Sequence, residues 1–527
     1  MKRRMVESCK QPTMVIILFV SLALSTMAKP SLPNVLFIAV DDLKPSIGAF
    51  GDALAITPNL DQLAEVGTVF LNNHCQKAIC GPSRASLMSG MRPDTIRVWE
   101  FGQRMREINP DLLSLPEHFK NHGYVTTAIG KIYDPRNVND QWDEESWSIP
   151  HKSWSDFRFH PAYRDVVNGQ HHNERAKAVS AEAKAKGVVG YQAMRKYLFE
   201  EDVWAVTECL AENVPDHAYV DGAIALRAVE MLKELGASDT PFFLGVGFAK
   251  PHLPFVAPKK YWDLYDREKL RIHPFQTKSR YAVDMAYHTS GELKSYSGIP
   301  SEMNSYADDP EKWLSEQKQL ELIHGYYACA SYVDAQIGKL MKALVESGLS
   351  DDTIVVVWGD HGFHLGDHGL WHKHTNFEQA TRSPLLMVAP GFIKGAVDAP
   401  TEFIDLFPTL CELTGLPVPE QLDGISLVPA MKEPSFSVKP FAVSQYSYNG
   451  CMGYSIRTDR FRYTEWIQDW RTFDPYDPAR VKGRELYDYD KDPCETINRV
   501  DDSAYKRIRK GMERHLHAFF KEACGKQ

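Results

Sequence analysis

Residues 34–42 read NVLFIAVDD, an almost entirely apolar run that ends in two aspartates. An uninterrupted apolar run of this kind is typical of a strand that is buried on both faces, as in a parallel sheet covered by helices. The two aspartates fall where that strand ends. The stretch therefore predicts an α/β fold and also marks the carboxyl edge of its sheet as a place where polar residues collect.

The order of strand and then helix repeats along most of the chain. Helices are predicted at residues 57–67, 114–123, 217–236, 320–348 and 403–415, and further strands at 124–130, 241–248, 353–359 and 383–391. Thr57 is predicted as the N-cap of the first helix, with Pro58 in its first turn and Gly67 as its stop. This alternation predicts a mostly parallel sheet wrapped by helices.

The pattern changes towards the C-terminus, where short β-rich runs are separated by Gly and Asp turns. These runs predict a small antiparallel sheet, followed by a closing helix at residues 503–523. We therefore predict a larger α/β domain at 32–435 and a smaller sheet-and-helix subdomain at 436–527. The Ala- and Lys-rich stretch within residues 150–215 predicts a surface helix inserted into the larger domain.

Composition excludes several classes of protein. The 527 residues are 43% hydrophobic and carry a net charge of −9 with both signs interspersed. This content suits a large core, and it gives no basic surface for nucleic acid. Nine cysteines are widely scattered and include no Cys-x-x-Cys pair, which argues against structural zinc and against a small disulfide scaffold.

The first 28 residues have the layout of a secretory signal peptide. A basic start is followed by a short apolar run, with Thr26 and Ala28 as small cleavage-site residues. A single membrane anchor is the alternative, although the run is short for a span. We expect an exported protein with no membrane segment after cleavage. No Asn-x-Ser/Thr sequon occurs, which favours a bacterial periplasmic or secreted setting.

Charged side chains and histidines follow four of the predicted strands. They are Asp41, Asp42, Lys131, Lys250, His252, Asp360 and His361. Because the carboxyl ends of parallel strands share one edge, we expect these side chains to meet there. Three carboxylates so placed need a cation, and oxygen ligands favour Ca²⁺ or Mg²⁺ over zinc. For a single Asp-Asp pair, a helix cap or solvated turn is the alternative. The lysines, together with Lys373, suit an anion such as sulfate or phosphate.

Residues 78–90 read AICGPSRASLMSG and place a cysteine ahead of a predicted helix. A helix that begins near Pro82 would direct its N-terminal N–H groups at Cys80 and favour negative charge there, and Arg84 adds donors. A thiolate nucleophile would need an activating base, and none is obvious nearby. A buried structural cysteine would not need so electropositive a setting. The residues alone do not decide what Cys80 does.

The stretch CGPSRASLMSG resembles the Cys-x-Pro-Ser-Arg signature of the type I, formylglycine-dependent sulfatase family. The early DD, the GK that ends a strand, the KPH and the late DHG accompany that signature in the family. The likeness is to the iduronate-2-sulfatase branch over about residues 34–498, and it is weaker through 150–215 and 270–315. It implies the alkaline-phosphatase-like fold, a large α/β domain with a smaller C-terminal sheet domain. It also implies that a formylglycine-generating maturation enzyme oxidises Cys80 to Cα-formylglycine.

The resemblance further implies roles for individual residues. One Ca²⁺ ion would be bound by Asp41, Asp42, Asp360 and His361, with residue 80 as a further contact. Most of the family has Asn where His361 stands, and a nitrogen is a weaker ligand for a hard cation, so His361 could act more by hydrogen bonding. Arg84 would hold the hydrated aldehyde. Lys131, His252 and Lys373 would grip the sulfate, and His252 or Lys373 would protonate the leaving oxygen.

One position departs from the family pattern. A histidine usually follows the GK lysine, but this sequence reads GKIYDPR, with Asp134 at that place. Our hypothesis is that Asp134 acts as the base in the second step of the reaction. The alternative is that Asp134 caps a turn before Pro135.

The sequence therefore predicts an exported, Ca²⁺-dependent sulfuric ester hydrolase that removes O-sulfate from a carbohydrate. A 2-O-sulfated uronic acid is the leading substrate, with ulvan- or fucan-type polysaccharides as competing candidates. The pattern also admits a phosphate or phosphonate ester hydrolase or, in a different class, a non-catalytic glycan-binding protein.

Four histidines crowd one segment, at positions 364, 368, 372 and 374. We expect them to make loop or substrate-edge hydrogen bonds and not to bind a second metal.

Overall fold

The structure is a computed structural model that describes residues 32–153, 156, 170–209, 213–304, 306, 309–392, 394–469 and 476–525. The predicted signal peptide, residues 1–28, lies outside the described residues, as does part of the predicted insertion at 150–215. The chain from Leu32 onward belongs to one unit. Among the described helices, none is both long enough and apolar enough to cross a bilayer.

A seven-stranded sheet forms the centre of the fold. Its strands are β1 (Asn34–Val40), β2 (Thr68–Phe70), β3 (Val125–Gly130), β4 (Phe242–Phe248), β5 (Thr353–Gly359), β6 (Leu385–Val388) and β7 (Gly395–Val397). They lie in the order β7-β2-β6-β5-β1-β4-β3. Strand β1 runs parallel to β4 and β5, as predicted, whereas β6 is antiparallel to both of its neighbours. The sheet is therefore mostly parallel, with one reversed strand.

The apolar run of β1 is buried on both faces of this sheet. Val35, Phe37 and Ala39 pack into the core on one face. Leu36, Ile38 and Val40 pack into the core on the other face. Because successive side chains of a strand point to opposite faces, a strand between two helical layers has to be apolar at every position.

Helices cover the two faces. Those of seven residues or more are α1 (Pro58–Ala64), α2 (Cys80–Ser89), α3 (Leu115–Asn121), α4 (Glu174–Ala185), α5 (Tyr191–Glu200), α6 (Val220–Gly236), α7 (Glu316–Glu346), α8 (Leu406–Thr414) and α9 (Lys506–Gly525). Shorter helices span Pro93–Ile96, Met105–Ile108, Lys259–Trp262, Glu378–Thr381 and Val428–Lys432. Paired two-residue strands join Asn73–His74 to Thr401–Glu402, Thr207–Glu208 to Phe255–Val256, and His364–Leu365 to Trp371–His372.

One helix start matches the prediction and another differs. Thr57 is the N-cap of α1 and Pro58 is its first residue, as predicted. The Thr57 hydroxyl makes no capping bond, and it accepts from the backbone N–H of Gly48 at 3.0 Å and donates to Asp61 Oδ1 at 3.3 Å. Helix α2 begins at Cys80 itself and not near Pro82. Proline lacks only an N–H that the first turn leaves unpaired, so the helix can include it.

A second, antiparallel sheet follows near the C-terminus, as predicted. Its strands pair in chain order: β8 (Ala442–Tyr448), β9 (Cys451–Arg457), β10 (Phe461–Gln468) and β11 (Val481–Asp488). Helix α9 packs on this sheet, and Leu516 lies in the same apolar cluster as Ile456 and Leu486. The position of the domain boundary stays a prediction.

Candidate active site

The ends of β1 and β5 bring two pairs of polar residues together. The strands are parallel, with Val40 opposite Gly359, so the residues that follow them leave the sheet at the same edge. The backbone N–H of Asp42 donates to Asp360 Oδ1 at 2.9 Å. Asp42 adopts a left-handed backbone with φ of 61°, a conformation that aspartate tolerates better than most residues. The two pairs therefore face each other, as the strand ends predicted.

The ring of His361 directs its Nε2 into this group. Its Nδ1 donates to the Gly362 carbonyl at 3.0 Å, which leaves Nε2 facing the carboxylates. Nε2 lies 3.4 Å from Asp42 Oδ1, 3.6 Å from Asp360 Oδ1 and 3.3 Å from Cys80 Sγ. Electron pairs that converge in this way repel one another unless a cation lies among them. The residues present thus fit a divalent metal.

Arg84 connects the residues that follow three strands, β1, β3 and β5, next to this group. Its guanidinium is fully buried and donates to Asp360 Oδ2 at 2.9 Å, to Asp41 Oδ1 at 2.9 Å and to the carbonyls of Lys131 and Ile132. Burial alone would raise the pKa of Asp41, but the charges of Lys131 and Arg84 outweigh it and hold that pKa well below its usual range. Arg84 therefore holds both carboxylates in place and, with Lys131, keeps Asp41 ionised.

Cys80 is the first residue of α2 and is buried beside the same carboxylates. Its Sγ lies 3.8 Å from Asp42 Oδ1, and burial, with the charge of Asp41, raises the pKa of the thiol well above its usual range. A thiol that stays protonated is a poor nucleophile. A Cβ on Gly81 would come within 1.8 Å of Asn137 Oδ1, which explains the glycine that follows the cysteine.

The three residues predicted to bind sulfate, Lys131, His252 and Lys373, lie next to the aspartates. Lys131 Nζ lies 2.7 Å from Asp41 Oδ2, and Lys373 Nζ lies 3.0 and 2.9 Å from the two carboxylate oxygens of Asp42. His252 Nε2 lies 3.9 Å from Asp42 Oδ2. Burial lowers the pKa of each lysine, but the neighbouring carboxylates outweigh it and raise both, so both ammonium groups stay charged. Each of these predicted site residues thus meets others of the set at this edge through side-chain contacts.

Asp134 is held by cations of its own. Its carboxylate accepts from Arg136 Nε at 2.8 Å and Nη2 at 2.7 Å, and it lies 3.6 Å from Lys131 Nζ. It also accepts from the backbone N–H of Arg136 at 3.1 Å, the bond of a capped turn. Burial opposes ionisation, but Arg136 and Lys131 lower the pKa of Asp134 far below its usual range. Its role as a base stays a prediction.

Comparison with known proteins agrees with this geometry. The family model described as sulfatase matches residues 33–416, and one described as N-sulphoglucosamine sulphohydrolase, C-terminal, matches residues 366–522. The chain belongs to the sulfatase family. It is therefore a sulfuric ester hydrolase. Sulfatases generally use formylglycine and a divalent metal, and the grouped residues Cys80, Asp360 and His361 could hold such an ion.

Individual relatives cover nearly the whole of this sulfatase. Iduronate 2-sulfatase of Mus musculus is 31% identical over 540 residues, which span 90% of this chain and 91% of the relative. The phosphonate monoester hydrolase of Agrobacterium radiobacter superimposes with a TM-score of 0.68 at 23% identity, over 93% of this chain and 96% of that one. A structure in complex with its substrate, D-glucosamine-2-N,6-O-disulfate, gives 0.70 at 18% identity, over 94% and 98%. These structures show the shared alkaline-phosphatase-like fold.

Sequence reasoning missed one residue of this sulfatase's site, Glu292. Its Oε1 lies 3.0 Å from Lys373 Nζ and 3.0 Å from His252 Nε2, so its carboxylate bridges two groups predicted to hold sulfate. Burial opposes its ionisation, but Lys373 and His252 lower the pKa of Glu292 well below its usual range. It lies on a loop with no motif, within the stretch where the family likeness is weak, so no sequence signal marked it.

Lys250 and two of the four clustered histidines have structural partners. Lys250, one of the strand-end lysines, donates to the carbonyls of His252 and Pro254 at 2.7 Å each and so shapes the loop. His364 bonds to Asp367 and lies 2.8 Å from Thr375 Oγ1, and His368 Nδ1 lies 3.1 Å from Ser279 Oγ. The loop hydrogen bonds expected of the histidine-rich segment are therefore present at two of its four histidines.

Proposed function

We propose that this sulfatase removes an O-sulfate from a carbohydrate, with a 2-O-sulfated uronic acid as its leading substrate. The observation that carries the proposal is the position of Cys80, whose Sγ lies beside Asp42 and His361. The two charged lysines Lys131 and Lys373 pair with the neighbouring carboxylates of Asp41 and Asp42. The similarity to iduronate 2-sulfatase over 90% of the chain supports the choice of sugar. The proposal includes export, to the periplasm or the medium, and maturation of Cys80 by a formylglycine-generating enzyme.

Asp41, Asp42, Asp360 and His361, with residue 80, would hold one Ca²⁺ ion. Three carboxylates supply the hard oxygen ligands that Ca²⁺ prefers. Bound there, the ion would supply Lewis acidity toward the sulfate oxygens and the oxygen of residue 80. Formylglycine at position 80 would supply, as its hydrate, one hydroxyl to attack sulfur and a second whose deprotonation lets sulfate leave.

The remaining residues bind the sulfate and move one proton. Lys131 and Lys373 lie on either side of the aspartates, where their ammonium groups can stabilise charge on the sulfate oxygens. His252 donates through Nδ1 to the Leu253 carbonyl at 2.6 Å, which fixes its ring with Nε2 toward the site. The side chain is 24% exposed, so a substrate can reach Nε2, and His252 protonates the departing sugar oxygen.

The chemistry is tested at Cys80. Mass spectrometry of the tryptic peptide from protein matured in a host with the maturation enzyme is expected to show an aldehyde in place of the thiol. Cys80→Ala is expected to lower sulfate release at least about 10⁴-fold, because the nucleophile is lost. Cys411→Ala, which removes a buried thiol of α8, serves as the control and should keep full activity. An unmodified thiol with full sulfate release would overturn the mechanism.

The substrate is tested by paired kinetics. Purified, matured protein is assayed on disaccharides sulfated at O2 of a uronic acid, on disaccharides sulfated at O6 of glucosamine, and on ulvan- and fucan-type oligosaccharides. Phosphate and phosphonate monoesters complete the panel. We expect the highest kcat/KM on the 2-sulfated uronate. A preference for the phosphorus esters would favour a phosphate or phosphonate ester hydrolase, and tight sugar binding without turnover would favour a glycan-binding protein.

The role of Asp134 is tested by Asp134→Asn. If Asp134 is the base of the second step, kcat falls about 10²-fold or more and a burst of alcohol release precedes slow turnover. If Asp134 only holds Lys131 and the turn, KM rises while the pH profile of kcat keeps its shape. Arg136→Gln is the matched control, because it removes the cation that pairs with Asp134 and leaves the carboxylate.

A further inference from the structure

A second group of metal-ligating side chains lies beside Lys373, apart from the predicted Ca²⁺ ligands. It consists of Glu292, His372 and His374, and one ligand atom from each lies within 4.8 Å of those from the other two. We call it the Glu-His-His cluster. The rings of His372 and His374 are 4.8 Å apart, and His372 Nδ1 lies 3.7 Å from Glu292 Oε2. His372 is only 2% exposed, so a sugar could not reach its ring.

The cluster contains buried polar atoms that lack hydrogen-bond partners. Within the described residues, four atoms of the cluster have no hydrogen-bond partner: both ring nitrogens of His372, Nε2 of His374 and Oε2 of Glu292. Oε2 does lie 2.9 Å from Lys373 Nζ as an ion pair, but without hydrogen-bond geometry. A buried polar atom without a hydrogen-bond partner destabilises the fold. Unpaired nitrogens on two buried rings, next to a carboxylate, indicate a ligand between the three side chains.

A third histidine packs against the first of the two rings. His288 stacks on His372 at 4.3 Å and lies 2.7 Å from the carbonyl of Lys373 through Nε2, which supports the segment from behind.

The backbone holds the two rings on either side of Lys373. His372 and His374 have φ of 72° and 76°, a left-handed conformation that is uncommon for residues other than glycine. Such strain persists where the surrounding structure holds it in place, often at functional sites. As a result, His372 and His374, which are two residues apart in sequence, both belong to the Glu-His-His cluster.

We infer that Glu292, His372 and His374 bind a second divalent metal ion of the Zn²⁺ class. Two imidazoles and a carboxylate suit zinc or a neighbouring transition metal, whereas Ca²⁺ prefers oxygen ligands alone. Zinc bonds to these atoms at about 2.0–2.1 Å, so the ligand atoms of a tetrahedral site lie roughly 3.4 Å apart. The 3.7 Å between His372 Nδ1 and Glu292 Oε2 is already close to that spacing. The inference does not depend on which sugar the enzyme uses.

The test is a Zn²⁺ titration of full-length Cys80→Ala protein saturated with Ca²⁺, so that the first group offers neither its thiol nor a free site. Calorimetry is expected to show one Zn²⁺ per chain. His372→Gln, His374→Gln and Glu292→Gln should each weaken binding at least about tenfold, because each removes one ligand. His515→Gln, which changes an exposed histidine of α9, is the matched control and should leave the affinity unchanged. Circular dichroism of each variant confirms its fold.

A second measurement needs no substitution in the cluster. X-ray absorption at the zinc edge of the same Cys80→Ala protein is expected to show two imidazoles in the first shell. Absence of bound Zn²⁺, or an affinity equal in the parent and in all three cluster variants, would overturn the inference and leave the cluster as a water site.

Discussion

The two sides of the active site are built in different ways. On the side of Asp41, Asp360 and Arg84, the charged groups follow parallel strands and are joined by hydrogen bonds of 2.9 Å. On the side of Lys373, the partners Glu292 and His372 lie outside the large sheet and meet only through their side chains. The first side is therefore fixed by the register of the sheet, and substitutions there should damage the fold. Substitutions on the second side should damage ligand binding more than folding.

Among the substitutions that compare the two sides, loss of either lysine should have the largest effect. Lys373→Met and Lys131→Met should each lower kcat/KM about 10³-fold, because each removes a cation placed for the sulfate oxygens. The two values, measured on the same sulfated disaccharide, compare the two sides directly. Lys269→Met, which changes an exposed lysine, is the control and should leave kcat/KM unchanged. An effect of Lys373→Met below tenfold would contradict its assignment to the sulfate.

Removal of Arg84 should show how strongly the strand side depends on its charges. Arg84→Ala leaves Asp41 and Asp360 buried without their shared partner, which should lower the free energy of unfolding by about 3–5 kcal/mol. Urea denaturation measures this change. Arg104→Ala breaks ion pairs whose acidic partners are exposed and should cost less than about 1 kcal/mol. Equal losses in the two variants would show that the buried network does not stabilise the fold.

Asp221 holds the loop that carries His252 and gives a smaller, pH-dependent effect. Its carboxylate accepts the backbone N–H groups of Ala249 and Lys250 at 2.8 Å each, and burial raises its pKa to about 6. A raised folded-state pKa adds stability that is complete below about pH 4 and is lost as pH rises through about 6.

The corresponding experiment is urea denaturation of Asp221→Asn between pH 4 and 7. The wild type should lose about 2–3 kcal/mol relative to the variant across this range, since the variant has no group to ionise there. Asp140→Asn alters an exposed aspartate and should follow the wild type. A constant difference between Asp221→Asn and the wild type at every pH would contradict the raised pKa.

Sequence patterns predicted the strand side well because position along a strand determines position in the sheet. The apolar run of β1 gave both its burial and the location of Asp41 and Asp42. Periodicity does not encode strand direction, which is why the antiparallel course of β6 was not predicted. Glu292 could not be predicted, because it reaches Lys373 across 81 residues of sequence and no motif surrounds it. The unpartnered rings of His372 and His374 likewise depend on loop geometry.

Glu292 also has a consequence for the enzyme between turnovers. With its carboxylate against Lys373 and His252, Glu292 supplies a negative charge to two groups that we propose bind the sulfate. If they do, an incoming sulfate ester has to displace this carboxylate, which then returns to the same partners as inorganic sulfate departs. A tethered acid of this kind would weaken the binding of anions from the medium and of the inorganic product alike.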